Sequence, residues 1–335
     1  MNPFERMPGL PELEVMEDVS LRRASKKANA IAYDRSKLRT ARKREEARIK
    51  TLARSLKSYM RRAAKVGKVF AGADPFYRRL GDLLFSEDAI LLAANRISGA
   101  TKTVRRLEMK YVRMIRRTRQ PPRATAVRKE AYGRILSVFK RRGKQLEFLR
   151  EVLVRMRKLP SVEREFPVIA VAGCPNSGKS TLVEAMSSAT PEKAAYPFTT
   201  KEISIGHTTL LKRRAQVMDT PGLLDRPMEE RNQMELQAIL CLEEVTDLMV
   251  FLFDASPGRY YHMAQQVELL DEIQRLFPKL PTVPALNKSD LDVIDIGALE
   301  ESPHRACPHI SALEGTGIDR LKVTIENSLK DQVPS

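Results

Sequence analysis

The sequence has little of what anchors a protein outside the cell or within a membrane. Its three cysteines, at positions 174, 241 and 307, form no C-x-x-C pair, so they predict reduced thiols of an intracellular protein and not a disulfide framework. No apolar run approaches the ~18 residues of a membrane span. Met1 to Glu17 mixes acids with Pro3, Pro8 and Pro11 and has no apolar stretch of signal-peptide length. A cytoplasmic protein without stable membrane association is expected. Residues 13–68 lack proline and hold a single glycine, Gly67, so little in that stretch interrupts a helix.

What the chain does have is positive charge, unevenly spread. Its 335 residues carry a net charge of +17, yet residues 1–165 hold 43 Lys and Arg against 18 Asp and Glu, while the remainder is near −8. The length suits about two domains, and the charge division gives them different tasks. In the basic half, Leu38, Ala41, Ile49, Leu52, Ala53, Leu56, Tyr59 and Met60 recur at helical spacing. Between them lie Arg42-Lys43-Arg44, Arg48, Lys50, Arg54, Lys57 and Arg61-Arg62. The pattern predicts a helical hairpin or one long helix with a buried and a basic face. Leu83-Leu84-Phe85 and Ala89 to Ala94 predict a more apolar helix, and further helices are expected over 101–117 and 127–159, parted by Pro121-Pro122. Together they make an all-α helical bundle domain over residues 1–160. Any single basic cluster reads as a solvated helix exterior, but the summed excess asks for a polyanionic partner. The apolar stripes are narrow and Ala-rich, which suits helix packing better than bilayer insertion, so structured RNA is favoured over a membrane surface.

From Phe166 the texture changes. Apolar runs at 167–172, 203–207, 215–219, 247–253, 282–287 and 307–310 alternate with helical patterns, which predicts an α/β domain with a mostly parallel sheet over residues 166–331. Gly173 to Thr181 fits the phosphate-loop pattern G-x-x-x-x-G-K-[ST] between a strand and a helix. In such a P-loop the backbone through Asn176, Ser177, Gly178 and Thr181 turns its N–H groups toward phosphate oxygens. Lys179 reaches the β- and γ-phosphates, and Ser180 ligates Mg²⁺. In Tyr196-Pro197-Phe198-Thr199-Thr200 either threonine could ligate Mg²⁺ and sense the γ-phosphate, with Thr200 preferred. Asp219-Thr220-Pro221-Gly222 supplies a carboxylate to the Mg²⁺ shell and, at Gly222, an N–H for the γ-phosphate. Lys179, Thr200 and Gly222 are the expected catalytic group.

Asn287-Lys288-Ser289-Asp290 selects the base. The Asp290 carboxylate can accept from guanine N1–H and the 2-amino group, a pairing adenine does not offer, and such sites reject a mismatched ligand by about 10⁴ to 10⁵. Asn287 is expected to brace neighbouring loops, the Lys288 stem to pack along the ring, and Ser311-Ala312 to present N–H groups to guanine O6. GTP and GDP are the expected ligands. Other features carry less: His304, Cys307 and His309 read as packing and not as a metal site, Cys174 does not imply reactivity, and Arg226, Arg231 and Arg259 read as switch surface before arginine fingers.

These residues give the chain a resemblance to the Obg-related GTPases, and within them to the nucleolar GTP-binding (NOG) family. Tyr196-Pro197-Phe198-Thr199-Thr200 resembles the Obg-type switch. The narrower likeness rests on Met1 to Pro8, Leu159-Pro160-Ser161-Val162, Gly206-His207 and Gly222 to Asn232. It implies a short, archaeal-type form of a P-loop GTPase domain preceded by the helical bundle, binding ribosomal RNA and large ribosomal subunit precursors beside other assembly factors. Leu223 stands where Ras-like proteins carry the glutamine that orients water, so slow intrinsic hydrolysis is expected. The resemblance also makes K⁺ near Asn176 a candidate activator. Two rival readings are an RNA-anchoring placeholder with structural nucleotide and a membrane-surface signalling GTPase.

Overall fold

The proline-free stretch folds as two helices and not one. In the computed structural model, which describes residues 1–197, 202–220, 222, 224–291 and 296–331, α1 (Leu13–Asn29) turns through seven residues into α2 (Lys37–Ala71). Ser36 starts α2 by accepting from the Arg39 N–H at 3.1 Å, satisfying one of the helix's orphan donors. The bundle continues with α3 (Pro75–Phe85), α4 (Glu87–Arg117), α5 (Pro121–Lys140) and α6 (Gly143–Arg157). Asp74 caps α3 ahead of Pro75, accepting from the Phe76 N–H at 3.0 Å, and Pro121-Pro122 opens α5, where a missing N–H costs nothing. The expected helix over 127–159 is two helices, broken at Arg141-Arg142. Conversely 89–94 and 101–117 belong to one continuous helix that runs through Gly99.

Packing of α2 on α4 is the spine of this unit. A Cβ on Gly67 would lie 2.5 Å from the Ala94 Cβ, so only glycine lets the two backbones approach this closely. Tyr59 is fully buried and donates its hydroxyl hydrogen to the Pro11 carbonyl at 2.7 Å. Its ring meets Phe139 edge to face at 6.0 Å. Contacts group Pro3–Arg157 as one compact unit and Lys158–Ser335, with Met1–Asn2, as the other.

The second unit is a six-stranded sheet in the order β2-β3-β4-β1-β5-β6. Its strands are β1 (Val168–Gly173), β2 (Glu192–Ala194), β3 (Ile203–Leu210), β4 (Arg213–Asp219), β5 (Leu248–Asp254) and β6 (Thr282–Asn287). β1, β4, β5 and β6 run parallel, while β3 and β2 close one edge antiparallel. α7 (Lys179–Met186), α8 (Gln233–Leu240), α9 (Met263–Leu276), α10 (Gly297–Glu300) and α11 (Ile318–Lys330) complete it. The run 307–310 is not a regular strand: only His309 bridges, to Leu286, because Pro308 has no N–H to donate. β1 lies between β4 and β5, so the chain leaves it where the strand order reverses. In open α/β sheets that crevice at the carboxyl ends is where ligands bind.

Candidate nucleotide site

Register delivers the site residues to the carboxyl ends of the parallel strands. Val171 of β1 pairs with Asp219 at the end of β4, and Asp254 at the end of β5 pairs with Asn287 at the end of β6. Between them the loop 174–178 joins β1 to α7. Asn176 and Gly178 take left-handed conformations, φ 63° and 95°, and a Cβ on Gly178 would fall 2.2 Å from the Asn287 amide nitrogen. The loop is therefore closed against the end of β6 by glycine alone.

Asn287 is 3 % exposed and holds two loops together. Its amide donates to the Ser177 carbonyl at 2.7 Å, and its oxygen accepts from the Ala312 N–H at 2.9 Å. Ser311, Ala312, Ser177 and Asn287 are thus brought together. Asp290 is exposed, and among the described residues no hydrogen bond or ion pair engages its carboxylate. Lys288, at φ 65°, anchors its ammonium on the Asp254 carboxylate at 2.6 Å. Asp254 lies outside the sequence motifs. Its position at the end of an apolar strand, two residues before Ser256, was the available signal.

Lys179 is buried and donates to the Gly173 and Cys174 carbonyls at 2.9 and 2.8 Å. Ser180 donates to the Asp219 carboxylate at 2.5 Å. A hydroxyl and a carboxylate held together are hard oxygen donors of the kind Mg²⁺ takes, so the residues fit that ion. Thr181 is half-buried in the first turn of α7. Tyr196 is buried and donates to the Ala238 carbonyl at 2.8 Å, and burial raises its hydroxyl pKa well above the usual value. Thr199, Thr200, Pro221 and Leu223 lie outside the described residues.

The segment after β4 is tied to itself. The Gly222 N–H donates to the Asp225 carboxylate at 2.8 Å, and Arg231 donates to the Gly222 carbonyl at 2.9 Å while pairing with Asp225 at 3.4 Å. The Arg231 side chain is 1 % exposed, so it is an internal strut and not a finger on the surface. Arg226 pairs with Glu235 at 3.6 Å. Burial pushes the Cys174 thiol up to about 12 and raises Cys307 as well, which removes both as reactive thiolates at neutral pH. Among the described residues no group of three His, Cys, Asp or Glu side chains could hold a metal ion, and no helix is long and apolar enough to cross a membrane.

Comparison with known proteins agrees with both halves. Residues 4–163 match the NOG1 N-terminal helical domain and residues 168–288 match a 50S ribosome-binding GTPase family. An uncharacterised Methanocaldococcus jannaschii protein is 35 % identical over 87 % of this chain and 81 % of its own length. Nucleolar GTP-binding protein 1 of Drosophila melanogaster is 28 % identical over 95 % of this chain but 50 % of its own, so the chain spans about half of that relative. A crystallised Plasmodium falciparum protein is 28 % identical over 52 % of this chain and 91 % of its own, with a TM-score of 0.45. With a GTPase domain behind a NOG1-type helical domain, the chain belongs to the nucleolar GTP-binding family of Obg-related GTPases.

Proposed function

We propose that the protein is a GTP-driven switch in assembly of the large ribosomal subunit, docking on ribosomal RNA through its basic helical unit. The observation that carries the nucleotide half is Asn287, which ties the phosphate loop to the Ser311-Ala312 loop beside the open carboxylate of Asp290. These contacts support a guanine site with a phosphate cradle at its other end. Lys179 would exchange its two loop carbonyls for phosphate oxygens, and the Gly222 N–H would take a γ-phosphate oxygen. Ser180 and Asp219, with Thr200, would hold Mg²⁺, which neutralises charge developing on the phosphate oxygens. Leu223 carries no group that orients water, so hydrolysis is slow and serves as a timer. The three free cysteines support a reducing, cytoplasmic setting.

Co-sedimentation with large-subunit precursor particles tests this. Binding is expected to differ between a non-hydrolysable GTP analogue and GDP, and to lose that difference in Lys179→Ala. Equal binding in every nucleotide state would leave only an RNA-anchored placeholder. For the hydrolysis step, K⁺ near Asn176 should accelerate turnover relative to Na⁺ at matched ionic strength; equal rates reject it.

A further inference from the structure

The bundle's positive charge is not uniformly available. Much of it is answered internally: Lys57 pairs with Glu108 at 2.5 Å, Arg116 and Lys50 with Glu46 at 2.7 and 2.6 Å, Arg128 with Glu45 at 2.9 Å and Arg78 with Glu87 at 2.7 Å. One surface is different. Arg61, Lys65 and Lys68 stand at i, i+4 and i+7 on α2, and Lys102 and Arg105 stand on the facing turns of α4. All five are exposed and line one groove of about 500 Å³. Among the described residues no hydrogen bond or ion pair engages any of their side chains, and no carboxylate lines the groove. Its floor is Ala64, Ser98 and Thr101.

The chemistry of the groove narrows its occupant. Five uncompensated cations in one channel repel one another and favour a ligand carrying several negative charges. Arg61 to Lys68 spans about 10 Å of helix, enough to meet more than one anion along a chain. No large apolar side chain lines the floor, so a lipid surface has no insertion face to meet and a protein partner has no aromatic or aliphatic anchor. We propose that this α2–α4 groove is the phosphate-binding track of the helical unit, and that it seats the phosphodiester backbone of structured RNA. The proposal rests on the RNA-docking reading and adds where the backbone lies. Because phosphate contacts position without reading bases, the groove binds RNA largely without regard to sequence.

The full-length chain, titrated with an RNA hairpin of about 20 base pairs by fluorescence anisotropy across a salt series, tests it. The variant R61Q/K65Q/K68Q/K102Q/R105Q is compared with K43Q/K50Q/R116Q/K140Q/R155Q, which removes five cations that are paired within the bundle. The groove variant should bind at least about 100-fold more weakly at physiological salt, with a log–log salt slope shallower by about 3 to 4. The paired set should change little, and a hairpin of scrambled sequence should bind as the original does. Circular dichroism and GTP affinity unchanged from wild type establish folding; should the quintuple variant misfold, the single reversal Lys65→Glu must weaken binding in the same direction. Equal losses in both quintuple variants would show diffuse attraction and overturn the groove. So would a groove variant that binds like wild type, which leaves RNA docking itself intact. Failure of the wild-type chain to bind RNA, or its transfer to phosphatidylserine vesicles in competition, overturns both readings.

Discussion

Asp290 and Glu46 are both carboxylates, and their surroundings give them opposite fates. Asp290 is left open, available to accept from a guanine edge. Replacing it with asparagine turns one acceptor oxygen into a donor, so Asp290→Asn should lose GTP and gain xanthosine triphosphate, measured as relative turnover of the two nucleotides. Retained GTP preference would move base recognition elsewhere. Glu46 accepts from Arg116 at 2.7 Å and pairs with Lys50 at 2.6 Å, and Arg116 above all lowers its carboxyl from 4.5 to about 2. The folded state therefore binds this proton less readily than the unfolded chain. Its stabilisation is complete above pH 4.5 and is lost as the pH falls toward 2. Since Arg116 is largely solvated, screening holds the effect to on the order of 1 kcal/mol. In Glu46→Gln, thermal melts between neutral and acid pH should show that much less acid sensitivity; an unchanged acid limb assigns it to other carboxylates.

At the scale of elements, the loop after β4 holds a contest. The N–H of Gly222 can serve the Asp225 carboxylate or a γ-phosphate, not both in full, and Arg231 holds Asp225 in place. A hydrogen bond to a charged group is worth about 1.5–3 kcal/mol. Asp225→Asn keeps a polar partner for the buried arginine but weakens the competitor, so affinity for a GTP analogue should rise by up to about tenfold while GDP affinity stays level by calorimetry. Parallel increases for both nucleotides would show that Asp225 acts on the whole pocket.

The same loop marks where sequence reasoning stops. The phosphate loop was legible because its chemistry demands fixed backbone shapes, and those shapes demand glycine at fixed spacing. Asn287 was legible as a brace because its motif follows an apolar strand. The Arg231–Asp225 strut was not: it joins two residues across an irregular segment with no period, and a buried arginine looks like a surface one in a charge count. β2 escaped because Glu-Lys-Ala at a sheet edge has no apolar alternation. The α5–α6 break escaped because Arg141-Arg142 contains neither proline nor glycine. Excess positive charge was plain from composition, but which cations are already paired depends on packing between helices distant in sequence.

For the whole molecule, each unit has its own core. The bundle buries Tyr59, Phe70, Phe76 and Phe139, and the sheet unit buries Phe251, Phe253 and Phe277. Units with separate cores unfold as separate cooperative blocks, and a ligand stabilises only the block that binds it. Calorimetric heating should resolve two transitions, with Mg²⁺–GTP raising one and leaving the other in place. A single transition that shifts as a whole would mean the two cores are energetically fused.

Gly67 has a bearing on recognition that reaches past stability. Because backbone meets side chain there with nothing compressible between, the separation of the two cation rows is fixed by van der Waals radii and not by adjustable packing. The channel is a rigid caliper. On the proposed track, binding would order the lysine and arginine side chains, each at about 0.5–1.5 kcal/mol, without the further cost of rearranging helices. That fixed backbone spacing would favour a polyanion whose girth matches the distance between the two cation rows.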